Sequence, residues 1–278
     1  MKPSVILLTY NSEDSLGATL TSLGALTDDI HVVDSFSTDG TLAIAAQFGA
    51  QVMQHAFENY GAQRNWAIDT VPVKYGWQLH LDADERLTPE LRETITALAE
   101  ETPVNGYYLP REMHFMGRPI LHGAMRPTWH MRLFRSGCGR CEARQYDQHF
   151  YCEGSTAQLN GYMIDDIRMS LSEWTARHNR WADAEVRELL SGERSGRVQG
   201  NLQGNPVEKK RALRKIYEKT PLFVRPFALF FYRYVVRLGF LDGIEGFIFF
   251  VLQSFWFRFL VDAKIYEQRK AARTKKPT

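Results

Sequence analysis

The chain is organised around an apolar run that ends in three carboxylates within four residues, the stretch WQLHLDADER at residues 77–86. Its alternating apolar residues can share one face of a buried strand, whereas Asp82 to Glu85 are poor strand formers and are expected to mark its C-terminal end. Ligands bind at that end in open α/β sheets. Two carboxylates one residue apart suit a hard divalent cation that holds a diphosphate. An acidic turn before a helix that begins near Pro89 is the alternative.

Length and composition favour one large domain, or a domain with an appendage: the chain has 278 residues, of which 44% are hydrophobic. The net charge of +2 gives no argument for a nucleic-acid partner. The chain opens directly on an apolar strand, so we expect no secretory signal. Three cysteines argue against a disulfide framework and fit a reducing cytoplasm.

The cysteines allow one further hypothesis. Cys138 and Cys141 form a Cys-x-x-Cys pair, and His149 and Cys152 follow, which would complete a four-ligand zinc set. Structural zinc sites usually have tighter, paired spacing. Buried or loop cysteines are therefore the expectation.

A strand-loop-helix unit recurs along the first hundred residues. Short apolar strands near residues 5–8, 31–33 and 50–53 precede the strand that carries Asp82, and helical patterns lie between them. Alternating strands and helices predict an α/β fold with a mostly parallel, Rossmann-like sheet. Thr9, Asp34 and Asp82 then lie at the C-terminal ends of three strands and should cluster in a ligand cleft. The alternative for each aspartate is a helix cap.

Three motifs together resemble the nucleotide-sugar half of glycosyltransferase family 2 enzymes, which have the GT-A fold. They are Ile6 to Asn11 (ILLTYN), Val32 to Thr41 (VVDSFSTDGT) and Leu81 to Glu85 (LDADE). Within that family the chain is most similar to the bacterial transferases of lipopolysaccharide-core and lipid-linked oligosaccharide synthesis.

The resemblance implies a donor site for a nucleotide sugar. Thr9, Tyr10, Asn11 and Glu13 would line the nucleotide pocket, and Asp34 would receive the base, usually uracil. A second group of side chains would surround the ribose and diphosphate: Asp82 at the ribose and metal shell, Asp84 on a divalent ion (Mn²⁺ or Mg²⁺), and the pair Arg64 and Asn65 beside the nucleotide. An arginine near a diphosphate can donate charge-assisted, bidentate hydrogen bonds, although a surface arginine on a helix is the alternative.

The acceptor half is expected over residues 106–190, where loops replace regular elements after Gly106. Direct displacement at the sugar needs a base that removes the acceptor proton. By resemblance to the family's Glu-Asp element the base is Asp147, with Phe150 following it, although Tyr146 stands where the family often has an acid. His149 is the rival base, because its ordinary pKa is near neutrality. A purely structural role for both residues is a third reading.

Two further groups are candidates in this half. Arg132 and Arg135 alternate along a predicted strand at residues 131–135 and would lie beside phosphate or face water. Residues 174–190 read as a helix whose Arg180 and Trp181 resemble the end of a Gln-x-x-Arg-Trp element, with Arg177 in the Gln position. By that resemblance Arg180 would approach the diphosphate and Trp181 the acceptor sugar. An ion pair and a core tryptophan are the alternative.

The predicted domains are a GT-A catalytic domain at residues 1–190 (nucleotide-sugar half 1–105), a glycine-rich linker or lid at 191–206, and a helical region at 207–278. The helical region mixes arginines with aromatics, and neither of its apolar segments reaches the roughly 20 residues that a spanning helix needs. We therefore expect helices that lie in the interface of an anionic membrane. The core of a helical domain or a homo-oligomer interface is the alternative.

These expectations define a metal-dependent, inverting hexosyltransferase that is peripheral on the cytoplasmic face of the bacterial inner membrane. Its donor would be a nucleotide diphosphate sugar, by resemblance a UDP-sugar, and its acceptor a lipid-anchored glycan. An aspartate-dependent phosphatase also uses Asp-x-Asp after an apolar strand, but it usually has Thr or Val where this chain has Arg86. A non-catalytic nucleotide-sugar-binding protein is the third hypothesis.

Overall fold

The computed structural model describes residues 1–144, 147–191 and 198–274. The chain divides into two compact units. Unit 1 contains Met1–His114, Pro127–Ala143 and Gln148–Ile167. Unit 2 contains Phe115–Arg126, Arg144–Asp147 and Arg168–Thr278. The sequence predicted that the helix at residues 174–190 belongs to the catalytic domain, but in the structure it groups with the C-terminal helices in unit 2. Residues 192–197, which are part of the predicted linker, lie outside the described residues.

Strands and helices alternate up to Ile167. In chain order they are β1 (Ser4–Thr9), α1 (Glu13–Leu23), β2 (Ile30–Asp34), α2 (Thr41–Gln47), β3 (Gln51–Gln54), α3 (Tyr60–Thr70), β4 (Trp77–Asp82), β5 (Glu85–Leu87), α4 (Pro89–Ala97), β6 (Gly106–Phe115), β7 (Arg118–Pro119), β8 (Thr128–Arg135), β9 (Gly139–Cys141), β10 (Phe150–Cys152), β11 (Thr156–Gln158) and β12 (Met163–Ile167).

The main sheet has the strand order β3-β2-β1-β4-β8-β6-β12-β5. The strands β3, β2, β1 and β4 are parallel, and β8 continues the sheet antiparallel to both β4 and β6. The α/β class and GT-A fold predicted from the sequence are confirmed. The expectation of loops directly after Gly106 was wrong: residues Gly106–Phe115 form a ten-residue strand, because the buried first half of β6 pairs with β8 in spite of Pro110.

Helices cover both faces of this sheet, and the alternation of side chains in β1 explains why. Val5 and Leu7 enter a core cluster with Leu16 of α1 and Leu91 of α4. Ile6 between them points to the other face, where it packs in a second cluster with residues of β2 and α3. Because successive residues of a strand point to opposite faces, a strand buried on both sides reads as a continuous apolar run.

Unit 2 is mainly helical. Its helices are α5 (Leu171–Ser191), α6 (Pro206–Lys219), α7 (Val224–Phe231), α8 (Gly243–Phe250) and α9 (Phe257–Thr274), with π-helical segments at Tyr232–Val236 and Val251–Trp256 and a 3₁₀ turn at Gly239–Asp242. Asn205 and Glu208 form a reciprocal capping box that begins α6. An apolar cluster joins α5 to α9 through Ala182, Val186 and Phe257.

The sequence prediction that no segment is long enough to span a membrane was wrong in one respect. The helical segments from Gly239 to Thr274 follow one another without a loop, although Gly243 has a φ of +73°, and together they form a 36-residue helical stretch whose most apolar part is 33% buried. By length and composition this helix is long enough to cross a membrane. Core helices of soluble proteins meet the same criterion, so this property alone assigns no location.

Gly161 tests the packing of unit 1. It has a φ of +90°, and a Cβ added there would lie 2.4 Å from the backbone N of Leu91 in α4. Gly137 has a similar φ of +85° but no atom within 4 Å of its added Cβ. Both Gly→Ala variants carry a left-handed backbone strain of about 1 kcal/mol or more. Only Gly161→Ala adds overpacking, of about 1 to 3 kcal/mol.

We therefore expect Gly161→Ala to lower the free energy of unfolding clearly more than Gly137→Ala, measured by urea denaturation. Equal losses in the two variants would contradict the close approach of Gly161 to α4.

Candidate functional site

The C-terminal ends of three parallel strands meet at one edge of the sheet in unit 1. Thr9 is the register partner of Asp34, and Leu8 is the partner of Asp82. The Oγ1 of Thr9 donates a hydrogen bond to Oδ1 of Asp34 at 2.9 Å. The strand register therefore brings these strand ends together, as the strand-loop-helix repeat predicts.

Asp34 is fully buried, and its carboxylate organises the loop that follows β2. It accepts hydrogen bonds from Thr9, from the backbone N–H and hydroxyl of Ser37, and from Nε2 of Gln54. Burial opposes its ionisation, but the donors outweigh burial and hold the pKa of Asp34 below its usual value. A carboxylate has about four lone-pair directions. These four donors use them, so a base N–H can bind Asp34 only where it replaces one of them.

Asn11 and Glu13 join the loops after β1 and β2. The Oδ1 of Asn11 accepts from the backbone N–H of Thr38 at 2.9 Å, and Oε2 of Glu13 accepts from that of Gly40 at 2.7 Å. Both residues were predicted to line the nucleotide pocket, and in this structure their side chains fix its two loops. Tyr10 lies beside them with 63% of its surface exposed, so its ring is accessible to a flat ligand.

Asp82, at the end of β4, lies between two arginines. Arg64 of α3 donates from Nη2 to both carboxylate oxygens at 2.9 and 3.1 Å. Arg132 of β8 donates to Oδ2 at 2.7 Å. Burial opposes ionisation of Asp82, but the two guanidiniums outweigh it and hold its pKa well below the usual range. The same burial works against the charge of Arg132, and the facing carboxylates of Asp82 and Glu85 raise its pKa.

Glu85, whose role the sequence left unassigned, completes this cluster. Its carboxylate accepts from Arg132 and from the backbone N–H of Asp82. Burial raises the pKa of Glu85, while the guanidinium of Arg132 opposes the increase. Glu85 therefore holds the end of β4 and the head of Arg132 together. The Nε of Arg132 is buried and has no hydrogen-bond partner among the described residues.

Arg132 is the residue of this site whose contacts the sequence left undecided. The alternation at residues 131–135 indicated a strand, but it did not say which face would meet the strand ends. The antiparallel pairing of β8 with β4 decides this, and Arg132 is only 4% exposed. Because a buried arginine needs carboxylate partners, the acidic stretch 82–85 was the one sequence feature that could have indicated the partners of Arg132.

Asp84 lies in the turn between β4 and β5 and is half-buried. Its turn is fixed by a hydrogen bond from Oγ1 of Thr19 to the carbonyl of Ala83 at 2.7 Å, and by one from the backbone N–H of Asp166 to the carbonyl of Asp84 at 3.2 Å. Within the described ranges, no group of three or more His, Cys, Asp or Glu side chains is arranged to hold a metal ion. Magnesium is commonly bound by one or two carboxylates together with substrate phosphates, and Asp84 fits that requirement.

Asn65, predicted beside the nucleotide, bonds to the backbone of β9. Its Nδ2 donates to the carbonyl of Cys141, and its Oδ1 accepts from the N–H of Cys141, both at 2.9 Å. The side chain of Asn65 thereby ties α3 to β9. The cysteines are not in disulfides, and among the described residues Cys141 belongs to no group of three or more side chains that could hold a zinc ion.

Asp147, the predicted base, belongs to unit 2 and has a positive φ of 55°. Its carboxylate accepts from three cations of α6: Lys210 at 2.9 Å, Arg211 at 3.2 Å and Arg214 at 3.0 Å. Arg211 also donates to the carbonyl of Asp147 at 2.7 Å. Neighbouring Tyr146 lies outside the described residues.

The rival base, His149, belongs to unit 1 and is 5% exposed. Its backbone N–H donates to Oε2 of Glu142 at 3.2 Å, and its carbonyl accepts from the N–H of Glu142 at 3.0 Å. Its ring lies 6.1 Å from that of His130.

Arg180 and Trp181 of α5, predicted to approach the diphosphate and the acceptor sugar respectively, differ in environment. Arg180 is exposed, whereas Trp181 is half-buried and packs against the cluster that joins α5 to α9. The guanidinium of Arg177 lies 4.8 Å from the ring of Trp181, and the ring of His178 lies 4.7 Å from it. These contacts give Trp181 a packing role within unit 2.

Comparisons with known proteins agree with this geometry. Residues 4–167 match the glycosyl transferase family 2 profile, which covers more than half of the chain. The lipopolysaccharide core biosynthesis glycosyltransferase LpsC of Rhizobium meliloti is 26% identical over 274 residues, which are 95% of this chain and 92% of LpsC. A glycosyltransferase of Rickettsia conorii is 37% identical over 94 residues, which are 34% of this chain and 33% of that relative.

Among solved structures, the mannosyltransferase PcManGT of Pyrobaculum calidifontis, in complex with GDP-Man and Mn²⁺, matches with a TM-score of 0.51 and 13% identity, covering 96% of this chain and 88% of that one. At this identity the likeness concerns the fold. The chain thus belongs to glycosyl transferase family 2 and is a glycosyltransferase, and it is similar along most of its length to an enzyme of bacterial lipopolysaccharide core synthesis. The profile covers the Asp-x-Asp stretch, and so the phosphatase hypothesis is wrong.

His80 on β4 makes the stability of unit 1 sensitive to acid. It is 3% exposed and donates from Nε2 to Oε1 of Gln78 at 3.0 Å. Burial, together with the positive charges of Arg64 and Arg132, lowers the pKa of His80 to about 3. The unfolded chain binds this proton near pH 6.5. The folded state therefore loses stability as the pH falls from about 6.5 toward 3, by about 1.4 kcal/mol per pH unit for this group.

We expect His80→Gln to lack this pH-dependent contribution. Between about pH 6 and 4 the unfolding free energy of the wild type, relative to that of the variant, should fall by about 1.4 kcal/mol for each pH unit of acidification. Urea denaturation at several pH values measures it. A difference that does not vary with pH would show that His80 accepts a proton in the folded state as easily as in the unfolded one.

Proposed function

We propose that this glycosyltransferase moves a hexose, with inversion, from a UDP-sugar to a hydroxyl of a lipid-anchored glycan in bacterial surface polysaccharide or lipopolysaccharide synthesis. The observation that carries the donor half of the proposal is the edge where β1, β2 and β4 end, with the arginine-bound Asp82 beside Asp84. Support for the acceptor class comes from the similarity to LpsC along 95% of the chain.

In this proposal the loops after β1 and β2 receive the nucleoside. Tyr10 offers an exposed ring for stacking on the base, while Asn11 and Glu13 hold the loops in place. Asp34 contacts the base only by exchanging one of its present donors. Thr9 orients Asp34 through its hydroxyl.

The diphosphate would be held beside Asp82. Arg64 and Arg132 are fixed there by carboxylates and need little reorganisation to face phosphate oxygens, and arginine matches phosphate in a bidentate geometry. Asp84 would hold the divalent ion, which when bound neutralises the charge that develops on the departing diphosphate. Asp82, whose oxygens already face two guanidiniums, orients these arginines.

Asp147 is the proposed base, which removes the proton from the acceptor hydroxyl. Three cations of α6 now occupy most of its lone-pair directions. The acceptor proton would therefore be transferred to a carboxylate that three cations already surround. His149 remains the alternative base, and Arg180 remains the candidate that approaches the diphosphate.

The enzyme would act at the cytoplasmic face of the bacterial inner membrane as a peripheral protein. Unit 2 exposes a run of large apolar side chains between residues 224 and 247, among them Phe227 (56%), Phe231 (59%), Leu241 (51%) and Ile244 (71%). Exposed apolar patches of this kind mark contacts with a membrane or another protein. A lipid-borne acceptor makes the membrane the partner that we propose, and a homo-oligomer is the alternative.

The first test concerns the metal and Asp84. We expect nucleotide release from UDP-sugars to require Mn²⁺ or Mg²⁺ and to stop in EDTA. Asp84→Asn should lower turnover by about a hundredfold or more, as does the loss of one strong electrostatic contact in other enzymes. Asp69→Asn is a matched control, because Asp69 is exposed and pairs with Arg140 on the surface. Undiminished turnover in EDTA would overturn the metal claim.

The second test separates the two candidate bases. Asp147→Asn should lower glycosyl transfer by roughly a hundredfold to ten-thousandfold while the thermal stabilisation by the donor persists. His149→Gln should leave most of the transfer. Full activity of Asp147→Asn would eliminate Asp147 as the base, and loss of transfer only in His149→Gln would assign that role to His149.

A further inference from the structure

A cavity of about 90 Å³ lies within unit 2, lined by the helices α5 and α6 and by residues 198–200. One water molecule needs roughly 10 to 15 Å³ of such space, so the cavity has room for a group the size of a phosphate. Leu189 and Val198 supply apolar parts of its lining. The rest of the lining is mostly charged, which is unusual for a simple packing defect.

Cations outnumber carboxylates in this lining. The charged residues that the structure describes there are Arg144, Glu188, Arg211, Arg214, Lys215 and Glu218. The last four belong to α6 and are spaced i, i+3, i+4 and i+7, so they share one face of that helix. The lining thus carries four positive and two negative charges. Asp147 contacts this set from α6's partner segment, but Lys210 balances its charge and leaves the excess of two unchanged.

Both carboxylates of the lining are already engaged. Glu188 accepts from Nη2 of Arg144, and Glu218 accepts from Nε of Arg214 at 3.0 Å. Arg144 and Arg211 are only 8% and 6% exposed. Lys215 makes no ion pair with any residue that the structure describes. Because like charges around a shielded cavity repel each other, an anion bound in the cavity would lower the free energy of this set.

A phosphate monoester matches the excess charge of the lining. It carries about −1.5 to −2 charges at pH 7 and offers three strong acceptor oxygens. Guanidinium groups bind phosphate oxygens in a bidentate geometry, and a lysine adds a point charge. A carboxylate supplies a single charge, and a neutral sugar supplies none. The lining therefore favours a phosphate over the other groups that a glycan can carry.

Two arginines of the lining also contact the proposed base. Arg211 and Arg214 donate from their Nη1 atoms to Oδ2 of Asp147 at 3.2 and 3.0 Å. A phosphate held in the cavity would thus share these two arginines with Asp147. A glycan that carries such a phosphate could then present a nearby hydroxyl to the base, since binding at a remote group orients the reacting one.

We propose that this cavity binds a phosphate group carried by the acceptor glycan, and that Lys215 is one of the side chains that recognise it. The inference rests on the glycosyl transfer proposed above and adds the substrate class: the acceptor is a phosphorylated glycan. Lys215 would contribute to acceptor binding, whereas Asp147 takes the proton.

The first test measures the site by itself, by calorimetric titration of the full chain with glucose 6-phosphate. Lys215→Gln should weaken binding about tenfold, because one charged hydrogen bond is lost. Lys215→Arg keeps the charge and should retain most of the affinity. Lys209→Gln is the matched control: Lys209 is exposed on the same helix and does not line the cavity, so we expect a change of about twofold or less.

Equal losses in Lys215→Gln and Lys209→Gln would overturn the site, as would a wild type that does not bind glucose 6-phosphate. Glucose, which lacks the phosphate, should not bind measurably. UDP binding should be the same in Lys215→Gln and the wild type. If Lys215→Gln weakens UDP binding as much as it weakens binding of glucose 6-phosphate, the cavity holds the donor diphosphate and the assignment to the acceptor is overturned.

A transfer assay identifies the source of the phosphate. A lipid-anchored core glycan is compared before and after phosphatase treatment, with UDP release from a UDP-sugar as the readout. We expect dephosphorylation to raise KM about tenfold, and Lys215→Gln to raise KM only for the untreated glycan. Equal KM values for the two glycans would contradict the acceptor assignment. If inorganic phosphate restores the KM of the treated glycan, free phosphate is the ligand and the acceptor assignment is overturned.

The two experiments fail separately. If the wild type transfers sugar to neither glycan, the proposed function fails and the acceptor assignment fails with it. The titration with glucose 6-phosphate still decides whether the cavity binds a phosphate group, because it requires no turnover.

Discussion

The edge where β1, β2 and β4 end depends on the position of the Asp82 carboxylate between Arg64 and Arg132. Two guanidiniums from different elements, α3 and β8, meet one carboxylate at the end of β4, and Glu85 holds Arg132 from the other side. Breaking such a buried set by removing one member leaves an uncompensated charge, which typically costs about 3 to 5 kcal/mol. The cluster therefore fixes the arginines before any ligand arrives. Asp84, two residues along, is not one of the carboxylates that hold these two arginines, and we propose it as the metal ligand instead.

Much of this edge could be predicted from local pattern. The apolar runs before Thr9, Asp34 and Asp82 indicated strands, and polar residues at the same end of each indicated one cleft. The contacts of Arg132 could not be predicted, because they depend on an antiparallel pairing between strands 50 residues apart in sequence. For the same reason the sequence did not reveal that Asn65 bonds to the backbone of Cys141, 76 residues away.

Unit 2 shows a second limit of local reasoning. The sequence indicated amphipathic helices rich in aromatics. It did not indicate that helical segments follow one another without a loop from Gly239 to Thr274, nor that cations of α6 bind Asp147. A sequence motif can identify a functional residue, but the charged side chains that contact it belong to segments distant in sequence. Arg225 and Arg233 illustrate this: they are eight residues apart, yet Arg225 pairs with Asp262 and Arg233 donates to the neutral hydroxyl of Ser254.

Calorimetric titration of the full chain with a panel of UDP-sugars and GDP-sugars, in the presence of Mn²⁺, tests whether the edge formed by β1, β2 and β4 binds a nucleotide diphosphate sugar. We expect saturable binding of at least one UDP-sugar, and we expect Arg132→Gln to weaken this binding strongly. If no nucleotide sugar binds, or if binding is the same in Arg132→Gln, this edge is not the nucleotide-sugar site.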